Sequence, residues 1–234
     1  MDPLEAHALK LHKDGLSAFS NKEYEKALGL FTESLKWKQN LYPAESNAIA
    51  VAHEVIAVTY FYLKKYLDAI TNFGKAIGIH NKINGTDFNL KSAKLLIDMG
   101  NSLYHIGRDQ EAIEVFKKGA DILFRLEGNN SETGLFGKAF EGRSLYKLGE
   151  YEKAINLLND ISERCLAALG RDNFATNTAF FYLGKSWETI AEKLKTKVTR
   201  QRYKDFIMYA ASGYANSKGY ENKAQSLLDL YNSL

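Results

Sequence analysis

Few stretches of this 234-residue chain place reactive side chains at the spacings that chemistry needs. His53-Glu54-Val55-Ile56-Ala57 opens like the H-E-x-x-H of a zinc site, but alanine stands where the second ligand belongs. Gly137-Lys138 begins like a phosphate-binding loop, yet Ala139 replaces the Ser or Thr that would hold magnesium. Glu132 stands where the first glycine of that loop should be. His7 and His12 are five apart and point to different sides of a helix. Cys165, in ERCLAAL, suits a buried structural thiol, and a lone cysteine excludes an internal disulfide or a multi-cysteine metal site. No catalytic residue, metal or cofactor is expected, and the chain does not read as an enzyme.

Lys193, Lys195, Lys197, Arg200, Arg202 and Lys204 form a basic run beside Tyr203 and Phe206. If the run is helical, Lys193, Lys197, Arg200 and Lys204 share one face, a patch suited to nucleic acid or an acidic protein surface. A solvated segment between helices is the blander reading and the favoured one. Lys plus Arg number 31 against 28 Asp plus Glu, a net charge of +3, which speaks against a chain that wraps nucleic acid. A nucleic-acid partner is therefore not the leading expectation.

The elements that position these residues must be helices. Hydrophobic residues make up 45% and charged residues 25%, as in ordinary globular proteins. There are only two prolines, Pro3 and Pro43, beside 14 Tyr, 13 Phe and 2 Trp, which predicts an all-α protein with a real core. The apolar run from Ile49 to Leu63 holds His53-Glu54 and is too short to span a bilayer. The opening MDPLEAHALKLHK develops no apolar core, so a cytoplasmic setting without a membrane partner is expected.

Self-comparison exposes a period. YEKALGLF, YLDAITNF, DQEAIEVF and YEKAINLL align without gaps, with alanines at Ala27, Ala69, Ala112 and Ala154, separated by 42, 43 and 42 residues. Upstream, Gly15, Ala57, Gly100 and Gly142 keep the same register and Gly184 extends it, as do the aromatics Phe19, Phe61, Tyr104 and Tyr146. Each unit reads as two helices joined by a tight turn, the small residues letting the helices approach closely. Such a pair cannot bury its apolar face alone and must stack on a neighbour.

Gly15, Phe19, Tyr24, Ala27 and Phe31, and again Gly142, Tyr146, Gly149, Tyr151 and Ala154, resemble the tetratricopeptide repeat (TPR) signature. The longer unit is similar to those of kinesin light chains and of bacterial TPR receptors for signalling peptides. The resemblance implies a right-handed superhelical solenoid of antiparallel helix pairs, one domain over 1–234. Repeats are expected at about 8–49, 50–92, 93–134 and 135–176, with a divergent fifth at 177–217 and a capping helix at 220–233.

The resemblance also implies a non-catalytic scaffold that holds a protein or peptide in a concave groove lined by the first helix of each repeat. One face of those helices carries Leu9, Lys13, Leu16 and Ser20, then Val51, Val55, Val58 and Tyr62. It continues with Lys94, Asp98, Asn101 and His105, then Phe136, Phe140, Arg143 and Lys147, then Thr178, Tyr182, Lys185 and Thr189. The stripe turns from aliphatic to polar and cationic. Asn101 is expected to bond a peptide backbone, Phe136, Phe140 and Tyr182 to meet apolar side chains, and Lys94, Arg143, Lys147 and Lys185 to attract acidic side chains or a free C-terminus. His12 and Leu16 flank Gly15 where the chaperone-tail clamp of the family needs Lys and Asn, so that specificity is not expected. The amphipathic terminal helix makes self-association a further expectation.

Overall fold

The contact that sets the helix spacing is a small residue against a bulky one sixteen positions later. In this computed structural model, which describes residues 2–234, a Cβ added to Gly15 would lie 2.6 Å from Phe31, and one on Gly100 would lie 2.7 Å from Phe116. Gly142 stands in the same relation to Leu158. Phe31, Phe116 and Leu158 are fully buried, and Ala27, Ala69, Ala112 and Ala154 have no exposed surface. Each large side chain thus fills a notch left by a missing one, as close packing requires.

Eleven helices and no strand are present among the described residues: α1 (Pro3–Ser20), α2 (Tyr24–Leu41), α3 (Asn47–Tyr62), α4 (Tyr66–Asn84), α5 (Leu90–His105), α6 (Asp109–Glu127), α7 (Glu132–Lys147), α8 (Tyr151–Leu169), α9 (Phe174–Leu194), α10 (Arg200–Ala215) and α11 (Glu221–Ser233). Their starts are written in the sequence. Side chains of Asp2, Asn89, Ser131, Asn173 and Thr199 each accept a hydrogen bond from a first-turn N–H of α1, α5, α7, α9 and α10. The turns inside the pairs pass through the left-handed region at Lys22, Lys64, Gly107 and Gly149. Two of these four equivalent positions carry lysine where glycine would be unstrained.

The chain divides into two compact units, one ending at Ile122 and the other running from Leu123 to Leu234. In the first, α1 packs on α2, α2 on α3, α3 on α4 and α4 on α5. Its core joins Ala27, Phe31, Ile49 and Ile56 and continues through Ala57, Ala69, Phe73 and Leu95. In the second, α7 packs on α8 and α9, α9 on α8 and α10, and α10 on α11. Cys165 lies in that core, and burial pushes its thiol up to about 12, so that it stays protonated at neutral pH.

The fifth position of the column, Gly184, packs differently. A Cβ on Gly213 of α10 would lie 2.5 Å from the Gly184 Cα of α9, so two backbones meet where elsewhere a phenylalanine or leucine side chain fills the notch. Backbone cannot swing aside as a ring can. Gly213→Ala is expected to destabilise the chain by about 1–3 kcal/mol. Gly29→Ala, in α2 with nothing within 4 Å of the added methyl, should stabilise it by roughly 0.5–1 kcal/mol. Urea unfolding of the two variants beside the parent checks the opposite signs.

Candidate functional site

The aliphatic half of the first-helix stripe is open to solvent. Leu16 is 44% exposed and Tyr62 51%, while Val55 and Val58 are half-buried. Helices α1, α3 and α5, with Phe31 of α2, border a hollow of about 360 Å³, lined by Leu16, Phe19, Val55, Val58 and Leu95 with Glu54, Lys91, Lys94 and Asp98. A second hollow of about 260 Å³ shares Val58 and Asp98 with it and adds Tyr62 and Asn101. Three helices that are far apart in sequence therefore bring Lys94, Asp98 and Asn101 to one surface with the valines.

Two acceptors on this surface lack donors. The Asn101 Oδ1 is buried and takes part in no hydrogen bond. Asp98 is open to solvent on one side, but protein surrounds it in the hollow between the helices. That lost solvation, with the like charge of Glu54 second, pushes its carboxyl up to about 6. Glu54 itself is held by His80, whose Nε2 meets its Oε1. His105, at the end of α5, is stacked on Tyr66 at 4.7 Å, and its ring is committed to that contact.

In the second unit, α7 and α9 carry the remaining stripe residues. The Arg143 guanidinium lies over Phe140 at 5.1 Å and over Tyr182 at 5.6 Å, and the Lys185 ammonium over Tyr146 at 5.1 Å. The cations are thus seated on aromatic faces rather than extended into water. Phe136 stacks on Phe140 at 4.3 Å, but Phe140 is only 2% exposed. This corrects the expectation for Phe140: it supports Phe136 from beneath and presents no surface to a ligand. Lys147 is exposed at the last position of α7.

The basic run does not form one helical face. Helix α9 ends at Leu194 and α10 begins at Arg200, so Lys193, Lys197, Arg200 and Lys204 are split between two helices and a turn. Lys193 lies 4.2 Å from the Tyr151 ring and Lys204 4.5 Å from the Tyr231 ring, while Lys197 and Arg200 are exposed. Thr199, which caps α10, causes the break.

Three participants were not singled out from the sequence. Glu54 is the only Asp, Glu, Lys or Arg in α3, and a lone carboxylate in an apolar helix was the available signal. Lys91 precedes the traced face by one turn. Phe174, 62% exposed, joins the Phe136–Phe140 cluster from the first position of α9, ahead of the stripe. A larger hollow of about 800 Å³ runs along α2 past Glu33, Lys36 and Trp37 to Tyr60 of α3, but none of the orphaned buried polar atoms lies in it. Among the described residues no group of three or more His, Cys, Asp or Glu could hold a metal ion, and no helix is long and apolar enough to cross a membrane.

An acid whose folded value is raised costs stability once it ionises. The cost is absent below its ordinary value of 3.8 and complete above about 6. Asp98→Asn should therefore raise the thermal midpoint at pH 7.5, and the gain should shrink between pH 6 and pH 4. A melting series across that range checks it; a gain independent of pH would contradict the assignment.

No protein-family model matches the sequence, and no curated protein is similar to it in sequence. Solved structures are similar in fold. A kinesin-light-chain-type protein of Podosopora anserina with nearly identical TPR-like repeats aligns with a TM-score of 0.69 at 12% identity, covering 92% of this chain and 97% of that one. RapI without ligand aligns at 0.72 and 14% identity, covering 97% of this chain and 59% of its own. YrrB, a TPR protein with an unusual peptide-binding site, aligns at 0.60 and 14% identity, covering 97% and 92%. With its paired helices and 42-residue period, the chain has the fold of the TPR-like solenoid proteins.

Proposed function

We propose that the chain is a non-catalytic cytoplasmic scaffold that holds an extended peptide, or a segment of a partner protein, on the inner faces of its first helices. In one unit these are α1, α3 and α5; in the other, α7 and α9. The observation that carries the proposal is Asn101. Its buried carboxamide oxygen, without a donor and bordering a hollow, fits the N–H of an extended backbone. Leaving such a group unsatisfied costs about 1–3 kcal/mol, which a bound strand would relieve.

The other stripe residues divide the work. Lys94 borders the hollow of the first unit, and His105 closes the same helix against Tyr66. Phe136, joined by Phe174, offers apolar surface, with Phe140 as its support. Arg143, Lys147 and Lys185, two of them beside Tyr182 or Tyr146, would attract acidic side chains or a terminal carboxylate. The similar fold of YrrB, described with a peptide-binding site, and of a Rap protein complexed with competence and sporulation factor supports the same reading. A preformed wall leaves most of the ordering cost to the ligand.

A library of random decapeptides tests this. The wild-type chain should retain a subset, and Asn101→Ala and Arg143→Glu should each weaken the retained peptides by about 3- to 30-fold, the loss of one hydrogen bond or charge contact. Lys36→Ala, on α2, should leave affinity unchanged. Affinities that ignore both inner substitutions and fall with the α2 one would overturn the proposal.

A further inference from the structure

If the first helices hold a bound segment, the hollow between α1, α3 and α5 has the chemistry to choose one of its side chains; the inference rests on that reading. Its walls are of two kinds. Leu16, Val55, Val58 and Leu95 supply aliphatic surface, and Glu54 and Asp98 supply carboxylates. Glu54 is gripped by His80 of α4. The Asp98 carboxylate has neither a hydrogen bond nor an ion pair, and the one charge acting on it, that of Glu54, repels it. Lys91 and Lys94 also border the hollow, but neither ammonium is among the charges acting on Asp98. In the adjoining hollow the buried Asn101 oxygen is a second acceptor without a donor.

Each kind of partner meets this surface differently. An acidic side chain would meet the Glu54 and Asp98 carboxylates as well as the Lys91 and Lys94 ammoniums, and would leave Asp98 without a counter-charge. A purely apolar one would cover the Asp98 charge without compensating it, which is costly. A long aliphatic chain ending in a positive donor satisfies both walls at once, and a hollow of about 360 Å³ is within the size range of sites that enclose small ligands. We propose that this hollow receives a lysine or arginine side chain of the bound segment, its stem along Leu16, Val55, Val58 and Leu95 and its cationic end on Asp98 beside Glu54.

The interaction needs Asp98 ionised, while lysine and arginine stay charged throughout the accessible range. The charged or titratable groups around Asp98 are Glu54 from α3, backed by His80 from α4, and Lys91 and Lys94 from α5; α1 contributes only Leu16 and Phe19 to the lining. Preference for a basic residue should therefore strengthen as pH rises through about 6.

The full chain is used to capture bead-displayed decapeptides, acetylated and amidated at their ends, and the retained peptides are sequenced. At pH 7.5 the wild type should enrich Lys and Arg about tenfold at one position. The enrichment should fall to near parity with Asp98→Asn, and for the wild type at pH 5, while peptides continue to be captured. Asp98→Glu, which keeps the charge, should restore part of the preference. Capture without a basic preference, or a preference unchanged by Asp98→Asn, overturns this inference and leaves peptide holding intact. Failure to capture any peptide overturns peptide holding and this inference with it.

Discussion

One contact organises the first four helix pairs: a glycine or alanine on the first helix against a bulky side chain on the second. Gly15 with Phe31, Ala57 with Phe73, Gly100 with Phe116 and Gly142 with Leu158 repeat it sixteen residues apart. It joins the helices through one flank of the first, so another flank of the same helix is left without a helix to cover it. In the first unit that free flank shows Leu16, Val55, Val58 and Tyr62, apolar groups that a closed bundle would bury. The open surface follows from the packing.

Some core polar groups are satisfied within the protein, whereas the Ser46 and Ser144 hydroxyls are not. In the core of the first unit, Ser34 donates to the Ala8 carbonyl and Ser92 to the Asn81 side chain. On the inner wall, by contrast, Asp98 carries an unpaired charge and Asn101 an unpaired oxygen. Groups held at a cost to the free chain are most readily understood as groups that a partner will satisfy. Cations in the second unit are treated differently, since Arg143 and Lys185 already rest on rings.

The fold was largely legible in the sequence because its determinants are local and periodic. The Ala27, Ala69, Ala112 and Ala154 column and the glycine column report contacts repeated in every pair, and repetition turns weak propensities into a clear signal. Asn101 and Asp98 were readable once the 3.6-residue face of α5 was followed. Phe140 was not, because the same face includes positions at its edge where a neighbouring ring decides burial. Glu54 escaped because its role depends on His80 and Asp98, which lie 26 and 44 positions away. The basic run was ambiguous for a different reason: a shared face requires a continuous helix, whereas the favoured reading of a segment between helices fits the new helix that Thr199 caps within the run.

The central claim, that ligands bind on the inner flank of the first helices, is tested most directly by photo-cross-linking. A decapeptide retained by the chain is made with a benzophenone side chain, irradiated on the protein, and the adducts are mapped by mass spectrometry. Adducts should fall on inner residues of α1, α3, α5, α7 or α9, such as Leu16, Val58, Tyr62, Phe136 or Tyr182. Adducts concentrated on Glu33, Lys36 and Trp37 of α2, or on Lys75 and Lys82 of α4, would contradict it.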